Sequence, residues 1–211
     1  MLKSLFDGLV DLLAPSVCSA CERTLEQRED AFCLACAACV EPAAASVEPD
    51  MRAAYSYGGA LADAIWRLKY EGRSEIARAF RTPLCEQAAG WAALADGVTA
   101  IPLAGSKLRA RGYNQSALLA QGVASGLGID YRPRWLLRQR AGVRQVGQNR
   151  EVRLLQLRGA FASPREVSGK TVLVVDDVRT TGATLREAER ALSEAGAVRV
   201  LKLVLALADR T

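Results

Sequence analysis

From residue 51 onward the apolar positions alternate between two rhythms. "RAAYSYGG" reads as a strand and a turn, and "ALADAIWRLKY" places Leu61, Ala64, Ile65 and Leu68 on one helical face. "SEIARAFRTPLCEQAAGWAALA" has helical spacing and predicts an interruption at Pro83. "VTAIPLA" predicts a short buried strand, and "NQSALLAQGVASGLG" a helix closed by glycine. "KTVLVVDD" is a β-branched strand, and "ATLREAERALSEAG" is a helix with Leu185, Ala188 and Leu192 inward and Gly196 just past its end. "AVRVLKLVLALA" supplies a last strand. Strands alternating with helices imply an α/β fold, with a mostly parallel sheet covered on both faces.

The first fifty residues follow neither rhythm. Leu2, Leu5, Phe6, Leu9, Val10, Leu12 and Leu13 suggest a short amphipathic helix ending before Pro15 and packing on its own protein. Asp7 and Asp11 break what an export signal would need as an apolar core, and a membrane span takes about 20 apolar residues. A cytoplasmic chain without a membrane span is therefore expected. Five of the six cysteines lie between Cys18 and Cys39, and "VEPAAASVEP" follows as a linker. The expected division is 1–50 for the helix and a cysteine-rich segment, and 51–211 for the α/β domain.

Cys18-x-x-Cys21 and Cys33-x-x-Cys36 are two pairs that can close one tetrahedral sulfur site. Structural zinc fits this set, with Cys18, Cys21, Cys33 and Cys36 as ligands. Cys39 extends the second pair and leaves an iron–sulfur cluster as an alternative, with Cys39 otherwise a spare thiol or alternate ligand. Cys85, alone on an apolar helix, reads as a core residue.

Composition narrows the chemistry further. The chain has 211 residues and a net charge of +5, and only five of its 28 basic residues are lysines. It contains no histidine, which excludes Ser-His-Asp catalysis and histidine metal ligation. An arginine-weighted surplus suits a polyanionic ligand, although it also follows from genome composition.

The stretch "TVLVVDDVRTTGATLREAERAL" concentrates the most informative pattern. Ligands of parallel sheets bind beyond the carboxyl ends of strands, where Asp176 and Asp177 are expected. Thr180, Thr181, Gly182, Ala183 and Thr184 then run into a helix, so backbone N–H groups and hydroxyls can surround a phosphate. Two carboxylates suit the vicinal hydroxyls of an attached sugar, with Mg2+ nearby, and the implied ligand is a ribose 5-phosphate. "SGKT" at 168–171 ends like a Walker A loop, but Pro164 occupies a required glycine position and the segment enters a strand.

"VLVVDDVRTTGAT" resembles the phosphoribosyl pyrophosphate signature of type I phosphoribosyltransferases. Together with "AIWRLKYEGRSEIA", "IPLAGSKLRARGYNQSALLA" and the cysteine pairs, the whole chain resembles the ComF/GntX group, competence protein F-like phosphoribosyltransferases with an amino-terminal zinc ribbon. The resemblance implies a phosphoribosyltransferase-type α/β core, binding of phosphoribosyl pyrophosphate with Mg2+, and a link to uptake of transforming DNA. It implies that Asp176 and Asp177 meet the ribose hydroxyls and that Thr180 to Thr184 hold the 5-phosphate. Pro102 to Arg109 matches the pyrophosphate-binding segment, supported by Lys107 and Arg109 after the strand and by Gly105 in the turn. Arg111, in "RGYNQ", either contacts pyrophosphate or pins the following helix. The family often reads Arg-Asn before "GAF"; here "LQLRGAF" has Gln156 near that position, and the segment around Arg153 receives no role.

Between Arg132 and Arg158 lie eight arginines and a single acid, Glu151. This stretch is open to three readings. It is a loop that closes over substrate, a surface that binds single-stranded DNA with Trp135 as a stacking partner, or a solvated helix face. The function expected is a phosphoribosyltransferase of unspecified acceptor. The rival is a catalytically silent ribose-phosphate sensor, or a module that binds DNA and competence-machinery proteins.

Overall fold

The structure, a computed structural model, describes residues 17–26, 31–44, 48–139 and 159–208. The expected helix at residues 2–13 and most of the arginine-rich stretch lie outside these residues, as do Gln156 and Arg153. Among the described residues, no helix is long and apolar enough to cross a membrane.

The centre is a four-stranded, all-parallel sheet. Its strands are β1 (Met51–Ser56), β2 (Gly97–Ala100), β5 (Thr171–Arg179) and β6 (Arg199–Leu207), in the order β1-β6-β5-β2. A second, two-stranded antiparallel ribbon pairs β3 (Leu137–Arg138) with β4 (Phe161–Ala162). Leu173 and Val175 of β5 enter one apolar cluster and Val172 and Val174 the other, as the two-residue period of a strand requires. Burial on both faces is why this strand has no polar alternation before Asp176.

One face carries α2 (Gly59–Tyr70), α3 (Ile76–Ala79), α4 (Arg81–Ala88) and α6 (Gln115–Leu127), which bury Leu61, Ile65, Phe80, Leu84, Leu119 and Val123 against Leu201 and Leu203. The opposite face is covered by α7 (Ala183–Glu194), with Leu185 and Leu192 packed on Val172, Val174 and Val204. Buried Lys202 of β6 lies on this side, 3.0 Å from Glu189 of α7 and 3.5 Å from Glu48.

The expected helix break at Pro83 falls instead at Phe80, where the backbone leaves helical geometry at φ −90°, ψ 3°. Pro83 then sits in the first turn of α4. A proline there needs no N–H partner, while its ring excludes a helical carbonyl four residues earlier. The α6 helix starts on Asn114, whose side chain accepts from Ser116 N at 3.1 Å, and stops at Gly128 with φ 68°.

Both edges of the sheet are covered. Residues 41–43 run along β1, with Ala43 N donating to Ala54 O (3.1 Å) and Ser56 N to Glu41 O (2.9 Å). On the other side, Val98 N donates to Asp130 O at 2.9 Å, and Arg132 N to Val98 O at 2.7 Å. Trp135 is buried over Gly97, where a Cβ would come within 2.7 Å of its ring. The indole therefore belongs to the core and is not presented for stacking on single-stranded DNA.

Candidate functional site

The cysteine-rich segment folds as a tight hairpin, with Val17 bridged to Thr24, followed by the single-turn helix α1 (Leu34–Ala37). Glu22 closes the first Cys turn in the left-handed region at φ 61°, rare for a residue with a Cβ. The sulfurs of Cys18, Cys21, Cys33 and Cys36 all lie within 4.8 Å of one another, and Cys21 Sγ is 3.7 Å from Cys33 Sγ. Metal–sulfur bonds of about 2.3 Å in a tetrahedron put sulfurs about 3.8 Å apart, so the set fits one metal ion. Burial pushes Cys18 up, but backbone N–H groups of Cys21, Cys33 and Ala20 outweigh it and pull the thiol down to about 6. Burial and the neighbouring thiols hold Cys36 far above the ordinary range. Four thiols this close cannot all ionise without a cation among them. Cys39 stands apart, exposed, its thiol donating to Ala35 O at 3.6 Å.

The knuckle is fastened to α2. Arg67 Nε donates to Ala20 O at 2.9 Å, and Glu22 pairs with Arg67 at 3.0 Å and also with Arg73. Phe32 packs its ring 5.8 Å from Phe80.

At the carboxyl end of the sheet, β5 continues two residues beyond the expected acids, to Arg179, so Asp176 and Asp177 are strand residues. Pairing with β6 accounts for this, since Val178 and Arg179 remain in register with Ala206 and Leu207. Both carboxylates are buried and take separate partners. Ser116 Oγ donates to Asp176 Oδ1 at 2.8 Å, and Lys69 Nζ lies 2.6 Å from Asp177 Oδ2. Despite that ion pair, Asp177 Oδ2 accepts no hydrogen bond of good geometry among the described residues. Burial, then the charge of Asp177, pushes Asp176 up to about 7.

Thr180 and Thr181 form the bend after β5, Gly182 adopts φ 72°, and Ala183 opens α7 with its N–H toward Thr181 Oγ1 at 3.4 Å. Thr184 is in the first turn. The loop thus presents backbone N–H groups at the start of a twelve-residue helix. A Cβ on Gly182 would sit 2.9 Å from Arg179 Nε and 3.0 Å from Arg186 Nη1, so two guanidinium groups flank it. Arg179 is also 2.5 Å from Glu48.

Gly105, expected in a turn, instead opens a helix, α5 (Gly105–Arg111), which carries Lys107, Arg109 and Arg111. Nothing in "SKLRAR" opposes helix once Gly105 has opened it. At i, i+4 spacing Lys107 and Arg111 share a face, and both line a cleft of about 280 Å³ with Lys69, Tyr70, Gly72 and Ala110. Arg109, two residues from each, is not among those lining residues; its Nη1 lies 3.5 Å from where Gly105 would carry a Cβ.

The "RGYNQ" segment joins four elements. Arg111 donates to Gln115 Oε1 and stacks 5.3 Å over the Tyr70 ring; Tyr113 OH donates to Leu68 O at 2.5 Å; Asn114 Nδ2 donates to Ile101 O at 2.9 Å. Lys69 and Ser116 escaped sequence reasoning. Lys69 carries one available signal: it is the only lysine on a helix whose other face is wholly apolar.

The phosphoribosyl transferase domain family matches residues 114–210. The chain is 31% identical over 201 residues to the DNA utilization protein YhgH of Salmonella typhimurium, covering 87% of each. It is 28% identical over 190 residues to the competence protein ComFC of Streptococcus pneumoniae, covering 86% of this chain and 83% of that one. Among solved structures, a glutamine phosphoribosylpyrophosphate amidotransferase from B. subtilis is similar over 66% of this chain and 30% of its own, at 27% identity and a TM-score of 0.45.

Proposed function

The chain belongs to the ComF/GntX family and carries its phosphoribosyltransferase-type α/β fold, and from that premise we propose that it binds phosphoribosyl pyrophosphate and transfers the ribosyl phosphate to a nucleophile. The observation that carries this reading is a buried carboxylate pair, one oxygen short of a well-formed hydrogen bond, standing directly before a threonine–glycine helix start. Asp176 and Asp177 accept from the ribose hydroxyls. Thr180, Thr181, Gly182, Ala183 and Thr184 hold the 5-phosphate, with Arg179 and Arg186 beside Gly182 adding positive charge. Lys107 and Arg111 receive the pyrophosphate in their cleft, and Arg109, off that face, contributes long-range charge.

Mg2+, an oxygen-seeking ion, would travel on the diphosphate and neutralise part of its charge. The residues of this chain then orient C1 of the sugar. The nucleophile's lone pair forms the new bond to C1, the C1–oxygen pair leaves on pyrophosphate, and any proton the nucleophile sheds passes to water. Stabilising the departing charge is the task of the cleft cations.

In this reading residues 1–50 form a zinc ribbon on Cys18, Cys21, Cys33 and Cys36, and residues 51–211 the transferase-like domain. The relatives named for DNA utilization and competence support a role in DNA uptake at the cytoplasmic side, with single-stranded DNA and competence-machinery proteins as partners.

Calorimetric titration of phosphoribosyl pyrophosphate with Mg2+ tests the site. Affinity should fall roughly 100-fold or more in Asp176→Asn/Asp177→Asn, since the carboxylate acceptors of both residues are replaced by amides that match the ribose hydroxyls and Mg2+ less well. No binding to the wild-type protein would remove the reading. Pyrophosphate release across a panel of nucleobases then separates a transferase from a silent ribose-phosphate sensor.

A further inference from the structure

Resting on the reading above, we infer that Lys69 is a diphosphate-binding residue that Asp177 holds in place, and that the "RGYNQ" segment exists largely to aim it. Three observations converge on this side chain. Lys69 lines the cleft together with Lys107 and Arg111, so three cations from two helices face one volume of about 280 Å³. Its ammonium is 2.6 Å from Asp177 Oδ2, a buried oxygen that accepts no hydrogen bond of good geometry among the described residues. Its two neighbours in sequence are both held by the same distant segment, Leu68 O by Tyr113 OH at 2.5 Å and the Tyr70 ring by Arg111 at 5.3 Å.

An ion pair with a buried acid repays its desolvation best when the remaining ammonium protons are hydrogen-bonded as well. Lys69 keeps about a fifth of its side chain exposed, on the cleft side, with ammonium protons to spare. It therefore spans the two halves of the site, sugar carboxylate on one side and diphosphate on the other. A flexible four-carbon stem lets the charge follow the diphosphate as it separates from C1.

The test uses the full-length protein and two separate probes, inorganic pyrophosphate and ribose 5-phosphate, each titrated calorimetrically with Mg2+. Lys69→Met should weaken pyrophosphate roughly 10- to 100-fold, the loss of one charge-assisted contact. Ribose 5-phosphate should bind at least as tightly as before, at lower Mg2+, because a competing positive charge has left Asp177. Lys69→Arg should recover most of the pyrophosphate affinity. Tyr113→Phe, which leaves every cation in place, should weaken pyrophosphate several-fold and leave ribose 5-phosphate alone. Unchanged pyrophosphate binding in Lys69→Met overturns the inference. A parallel loss of both probes overturns it too, since Lys69 would then merely support Asp177. If the wild type binds ribose 5-phosphate but no pyrophosphate, this inference fails alone; if it binds neither, the functional reading falls with it.

Discussion

The cysteine knuckle and the β5–α7 corner are equally conspicuous in the sequence, yet different forces hold them. The corner sits on a strand buried on both faces, and its geometry follows from packing that the chain supplies itself. Of the knuckle's described residues Cys18, Ala20, Phe32 and Cys33 are buried in the apolar cluster while Leu25, Ala31, Cys36 and Val40 pack on it only partly buried, and its four thiols crowd within 4.8 Å of one another. A motif can therefore be sharply written in sequence and still depend on something outside it. Arg67 binds the two regions mechanically, because the helix that carries it also carries Lys69, and Arg73, in the loop after that helix, adds a second tie to Glu22.

The strongest way to break this contrast is to remove metal. Chelation, or Cys33→Ser, should abolish a content of about one zinc per chain and forfeit about 10 kcal/mol of binding free energy. Hydrogen exchange should then show residues 17–26 and 31–40 unprotected while β5 and β6 keep their protection. A knuckle that stays protected without metal would erase the distinction.

Phe80 lies on the seam, with Phe32 of the knuckle 5.8 Å away and Tyr55 of β1 at 6.4 Å. Phe80→Ala should lower unfolding free energy by about 3–5 kcal/mol in a urea titration. While the variant is folded, ribose 5-phosphate binding should stay close to wild type. Loss of binding in the folded variant would mean that the corner depends on the seam.

The smallest effect sharpens the corner itself. Asp176 has a folded-state pKa near 7, above the roughly 3.9 of an unfolded aspartate, so its stabilising contribution is complete at low pH and is lost as pH rises through about 7. Between pH 6 and pH 8 the ligand-free protein should lose on the order of 1 kcal/mol that Asp176→Asn does not lose. Thermal melts of both proteins at the two pH values read this difference; an identical change in both would show that Asp176 is not the group responsible.

These tests separate what local sequence could reveal from what it could not. The face of α2 and the strand β5 were legible because periodicity is written in neighbouring residues. The corner was legible for the same reason, since strand, bend and helix follow one another without interruption. The Ser116–Asp176 bond spans 60 residues, and the Lys69–Asp177 pair joins elements with no shared local pattern. Such contacts are decided by how helices seat on the sheet. The helical turn of α5 was hidden by its glycine, and the break at Phe80 by the proline three residues later, which marks the clash and not its location.

Covered sheet margins carry a last implication. Among the described residues, 41–43 are hydrogen-bonded along one outer strand and 130–132 along the other, so a foreign β-segment extending the sheet there would have to displace them. Side-chain recognition on helices or knuckle avoids that displacement, and variants that seek to disrupt a larger assembly belong first on those surfaces.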